Sequence, residues 1–109
     1  MLDIMAENIR HLCQTDAIYW TEHVGKRLIK RLISPDEVIQ VLLHGDIIEH
    51  YQDDYPFPSC LIFAIVGMRP LHVVCSIGNE QLYVITAYQP DSMQWDETFT
   101  KRSKEGGSS

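Results

Sequence analysis

The chain has 109 residues, of which hydrophobic types make up 45% and charged types 22%. That length holds one small domain with no separate cofactor domain, and the apolar share excludes wholesale disorder. Nine basic against fifteen acidic residues leave a net charge of −6, a field that repels nucleic acid and anionic membranes, so any RNA contact must rest on a local basic patch.

Met1 to Glu7 carries acid where a secretory leader carries base, and no apolar run approaches the roughly 18 residues of a membrane span. Cys13, Cys60 and Cys75 are odd in number, far apart and without a CxxC, which predicts thiols in a reducing cytoplasm. In chain order, the first expected element is a helix from Asp3 to about Cys13, with Ile4, Met5, Ile9, Leu12 and Cys13 on one stripe. Thr21 opens a second helix, and Trp20, Val24, Leu28 and Leu32, each four apart, form its expected buried side. The same spacing gathers His23, Arg27 and Arg31 on a neighbouring face, beside Lys26 and Lys30. Gly25 weakens this helix but lets another backbone or a ligand come close.

Ser34-Pro35-Asp36-Glu37 starts a third helix, with Ser34 as N-cap, Pro35 as first helical residue and Glu37 closing a capping box. Val38, Val41 and Leu42 turn inward, and Gly45 ends the helix. The period then changes. Strands are expected at Asp46–Tyr51, Cys60–Val66, Leu71–Ile77 and Leu82–Tyr88, and their short connections predict an antiparallel meander. Trp95 and Phe99, four apart, suit a short helical tail that binds back on the domain, and residues 103–109 read as mobile. The expected fold is α+β, three short N-terminal helices packed on a four-stranded antiparallel sheet, in one domain over residues 1–102.

The sharpest chemical feature is the row His23, Arg27 and Arg31. Arginine forks match phosphate oxygens, and histidine moves a proton near neutral pH. Cleaving RNA without a metal needs those services: a base for the 2′-hydroxyl, an acid for the leaving oxygen and cations for the developing charge. The other reading of the row is a solvated helix face paired with Glu22, Asp36 or Glu37. His72 lies inside a central strand. An even hairpin loop after Ile77 puts it with Tyr83, Ile85 and Ala87, whereas an odd loop or a bulge puts it with Thr86 and Tyr88. Tyr88 suits base stacking or packing against the tail, and Arg69, in a turn, can extend a phosphate surface or be merely solvated. No zinc spacing, glycine-rich phosphate loop or GxSxG motif occurs, so neither a metal nor a cofactor is expected.

The run Thr21-Glu22-His23-Val24-Gly25-Lys26-Arg27-Leu28-Ile29-Lys30-Arg31, then Ile33-Ser34, resembles a bacterial domain-of-unknown-function family, number 4258. The resemblance continues through Gly45-Asp46-Ile47-Ile48-Glu49, Arg69-Pro70-Leu71-His72-Val73-Val74 and Val84 to Asp91, then Trp95. That family is often grouped with barnase/RelE/MqsR-like endoribonuclease toxins. The resemblance therefore implies a RelE/barnase-like fold and the toxin half of a type II toxin–antitoxin system, a metal-independent endoribonuclease acting in the cytoplasm. It carries His23, Arg27, Arg31, His72 and Tyr88 over as recurrent polar positions without fixing their roles; the candidate catalytic residues are His23, His72 and Tyr88, and the candidate phosphate contacts Arg27, Arg31 and Arg69. The implied partners are mRNA, free or ribosome-bound, and a cognate antitoxin of zinc-finger/helix-turn-helix type. The alternative is a non-catalytic protein-interaction module that keeps the fold. This chain departs from the pattern at Leu32, where a glycine is usual, and in its acidic net charge.

Overall fold

Two side-chain caps set the helical half of the molecule. The computed structural model describes residues 4–91, 95–96 and 98–101; the tail expected to be mobile, 103–109, lies outside the described residues. The elements are α1 (Ile4–Gln14), β1 (Ile18–Trp20), α2 (Glu22–Lys30), α3 (Pro35–His44), β2 (Asp46–Tyr51), β3 (Ser59–Val66), β4 (Arg69–Gly78) and β5 (Gln81–Tyr88). Thr21 Oγ1 accepts from the Val24 N–H at 3.1 Å and begins α2. Ser34 and Glu37 form the full reciprocal box, and Pro35 opens α3 where its missing N–H goes unused.

The sheet has five strands in the order β1-β5-β4-β3-β2, and it is mixed. β2 to β5 form the expected antiparallel meander, but β1 adds to the outer edge of β5 in parallel, with Ile18, Tyr19 and Trp20 opposite Leu82, Tyr83 and Val84. The expectation of a four-stranded antiparallel, RelE/barnase-like sheet is thus wrong. Three residues between two helices are too few to show an alternating pattern. They become a strand only because β5 offers an unpaired edge, beginning with the Leu82 N–H that reaches Ala17 O at 2.8 Å.

Trp20, which spacing assigned to the α2 stripe, belongs to β1. Leu32 also leaves that stripe. Arg31 caps α2, Leu32 turns at φ +58, and the chain leaves helical phase, so Leu32 is 81% exposed while Ile33 is 4% exposed. The three helices lie on one face of the sheet. Ile9, Val24, Leu28, Val38, Val41 and Leu42 meet Cys60, Ile62, Leu71, Val73, Leu82 and Val84 in one core. Among the described residues no helix is long and apolar enough to cross a membrane.

The opposite sheet face carries its own buried set, Leu61, His72 and Trp95. Trp95 makes only an isolated bridge, and residues 98–101 form turns and bends, so the expected helical tail does not form among the described residues. The tail nonetheless binds back: the Trp95 ring stands edge-on to His72 with centroids 4.5 Å apart. Trp95 is 2% exposed, so Trp95→Ala should lower stability by about 3 kcal/mol. Truncation after Pro90 should lower the denaturant midpoint at least as far, and an unchanged midpoint would show that this contact stabilises nothing.

Candidate functional site

The residues singled out by sequence fall on different faces of the domain. His23 and Arg27 stand exposed on α2. Arg31, at the end of that helix, is turned to structural use. β1 stops at the Trp20–Val84 pair, so β5 has no strand partner on that edge beyond Val84. Arg31 Nη1 fills the gap, donating to Ala87 O at 2.8 Å and to Thr86 Oγ1 at 3.2 Å. Arg69 is engaged as well. Its Nη2 donates to Leu32 O at 3.0 Å and to both Glu37 carboxylate oxygens at 2.7 and 2.8 Å. The β3–β4 turn is thereby tied to the α2–α3 corner.

His72 has no exposed surface. Leu71 and Val73 belong to the helix-side core, so alternation puts His72 on the far face of the sheet. The hairpin loop is even, two residues, Asn79 and Glu80, both at positive φ. A bulge at Val74/Cys75 then shifts the pairing and sets His72 opposite Tyr88. Of the two registers left open by the sequence, the bulge selects the second. His72 Nε2 lies 2.8 Å from Phe99 O, and because a carbonyl can only accept, Nε2 carries the proton. Nδ1 faces the Tyr88 hydroxyl at 3.4 Å. Phe63, Tyr88 and Trp95 enclose the ring edge-on. The imidazole is positioned as a buried, hydrogen-bonded packing group.

His23, on a helix packed against the other face, is separated from His72 by the sheet; packed layers lie about 10 Å apart. The thiols offer no activated nucleophile. Cys60 and Cys75 face each other across β3 and β4 with Sγ atoms 3.9 Å apart, and that contact and burial push the Cys75 thiol well up. Burial and the nearby Asp16 carboxylate raise Cys13. Among the described residues, no group of three His, Cys, Asp or Glu side chains gathers to hold a metal ion.

Two surfaces escaped the sequence reading. On the far face, Phe57 stacks on Tyr83, which meets Tyr19 edge-on. Phe57 lies flat against Gly78, where a Cβ would sit 2.3 Å from its ring, so only glycine fits there. On the helix face, an apolar groove of about 570 Å³ runs between α2 and α3, floored by Trp20, Leu28, Ile33 and Ile39. Beside it, Ile29 is 78% exposed, as Leu32 is at the corner. The usable signal was Ile29, an aliphatic residue outside the four-residue stripe.

Residues 20–89 match the family described as a domain of unknown function, DUF4258, and the chain belongs to that family. No curated protein and no solved structure matches it.

Two outcomes test this geometry. His72→Leu removes the partner of the Phe99 carbonyl and should cost about 1–3 kcal/mol. The Glu37 carboxylate is held below its ordinary value, first by the Ser34 N–H and then by Arg69. Folding lowers this pKa, so the stabilisation is complete above the unfolded value of about 4.3 and is lost as pH falls through the lower folded value. Glu37→Gln should therefore flatten the dependence of the denaturant midpoint on pH across the acid range.

Proposed function

We propose that this member of the DUF4258 family is a protein-interaction module that binds through its helical face. One observation carries the reading: Ile29, largely exposed, lines an apolar groove, and Leu32, largely exposed as well, stands at the end of the same helix, on a small acidic chain. Single exposed aliphatics are ordinary, but two along one helix and its end, with an apolar groove alongside, are what partner-binding surfaces present. The disposition of the other polar residues favours the same reading. Arg31 and Arg69 are engaged with the chain's own carbonyls and carboxylate, and His72 is enclosed.

The second reading is a metal-independent endoribonuclease toxin of the cytoplasm, acting on mRNA and neutralised by a cognate antitoxin. It is favoured by His23 and Arg27, which stand exposed one turn apart and free to meet a phosphate. In that reading His23 moves the proton and Arg27 holds the phosphate, while His72 and Tyr88 position the sheet beneath.

The readings separate in one assay, cleavage of a mixed RNA pool in excess chelator, with and without ribosomes. For an interaction module, the folded wild type leaves the pool intact. If the wild type cuts, and His23→Ala loses cutting more than binding, the endoribonuclease reading replaces it. Arg27→Ala would then weaken binding across many sequences and reduce its salt dependence, because phosphate contacts carry little base information.

A further inference from the structure

We infer that the groove between α2 and α3 receives an acidic amphipathic helix from a partner protein, with apolar side chains against Ile29 and Leu32 and carboxylates against Lys26 and Lys30. This rests on the interaction-module reading and adds to it the surface and the chemistry of the occupant.

The helix geometry sorts α2 into bands. Glu22, Gly25, Lys26 and Ile29 of α2 line the groove, and at 3.6 residues per turn Lys30 follows Lys26 in the next band, with His23 and Arg27 beyond. The apolar anchors therefore border a pair of cations directly. A Cβ added at Gly25 would meet nothing within 4 Å, so the groove wall leaves room for an approaching backbone. Helix-in-groove recognition uses such an apolar groove with a charged margin, the inserted helix supplying anchors at i, i+3 and i+4.

Charge selects the occupant. Four of the nine Lys and Arg residues fall from Lys26 to Arg31, in a chain whose net charge is −6. Of these, Lys26 lines the groove and Lys30 follows it one turn on, whereas Arg31 is bonded to β5. Lys26 meets Glu22 at 3.8 Å, with both side chains more than three-quarters exposed. Such a pair contributes little and can be exchanged for a partner's carboxylate. RNA would meet the same cations but gains nothing from Ile29 and Leu32, so the juxtaposition of aliphatic and cationic side chains favours an acidic protein segment.

Leu32 is the telling residue. Its φ of +58 is the left-handed region in which glycine is at ease and a branched side chain is not. The side chain is 81% exposed, so it buries almost nothing within the chain itself. A leucine held in that conformation gains its apolar contact only when a partner covers it.

The test uses the full chain and two synthetic helical peptides with the same leucine face, one flanked by glutamates and one by lysines. Fluorescence anisotropy should show binding of the glutamate peptide, weakened by salt, and about tenfold or greater weakening for the lysine peptide. Ile29→Ser, Leu32→Gly and Lys30→Glu should each weaken the glutamate peptide about tenfold. Leu32→Gly should leave the denaturant midpoint unchanged or higher, so its lost binding is not lost folding. Equal binding of both peptides, no binding of the glutamate peptide, or indifference to the three variants overturns the inference. So does a dimer of the free chain abolished by Leu32→Gly, which would make a second copy the occupant. Amide shifts confined to the far-face aromatics would overturn the groove while leaving the interaction-module reading intact. RNA cleavage by the wild type would unseat that reading itself.

Discussion

The Glu37 carboxylate is the point through which the helical face and the sheet are fixed to each other. It accepts the Ser34 N–H that closes the α3 cap, and it accepts the Arg69 guanidinium from the β3–β4 turn. Arg69 also holds the carbonyl of Leu32, so the left-handed corner between α2 and α3 is bonded from below. One carboxylate thus sets where α3 begins, how α2 turns into it and how that corner sits on the sheet. The ion pair itself, about a quarter exposed on each side, is a modest source of stability. Its consequence is geometric: with the corner fixed, Ile33 enters the core and Leu32 remains outside.

The sheet then separates two environments. On its helix side lies a continuous aliphatic core, and on its far side lie rings: Phe63, His72, Tyr88 and Trp95 at one end, Tyr19, Phe57 and Tyr83 at the other. A histidine within such a cluster is tolerable because both ring nitrogens face an oxygen; unpaired, its burial would be costly. Arg31 shows a parallel economy, since a guanidinium at the exposed edge of β5 satisfies a carbonyl left unpaired by the shortness of β1.

Charge distribution gives the surface its polarity. Acidic residues outnumber basic ones along the chain, while α2 concentrates cations beside exposed aliphatics. Within the α2 band the residues nearest the groove, Lys26 and Lys30, differ from the row that drew attention in the sequence, His23 and Arg27. The two candidate activities therefore occupy adjacent but separable strips of a single helix.

Much of this was written locally. The caps at Thr21 and Ser34, the stop at Gly45 and the strands β2 to β5 follow from side chains that act within a few residues of themselves, so the sequence determined them. It also marked α2 as the cationic helix and His72 as a strand residue. Four decisions were not local. β1 exists because of an edge eighty residues into the chain, the bulge that pairs His72 with Tyr88 belongs to a hairpin's register, and Arg31 and Arg69 found partners 56 and 32 residues away. The fourth is the phase break at Leu32, which moved a leucine from the expected core to the surface. Periodicity reports which face a residue shares with its neighbours. Where that face meets another element, and whether a charge is left free there, depends on contacts between distant segments, and only the tertiary structure supplies those.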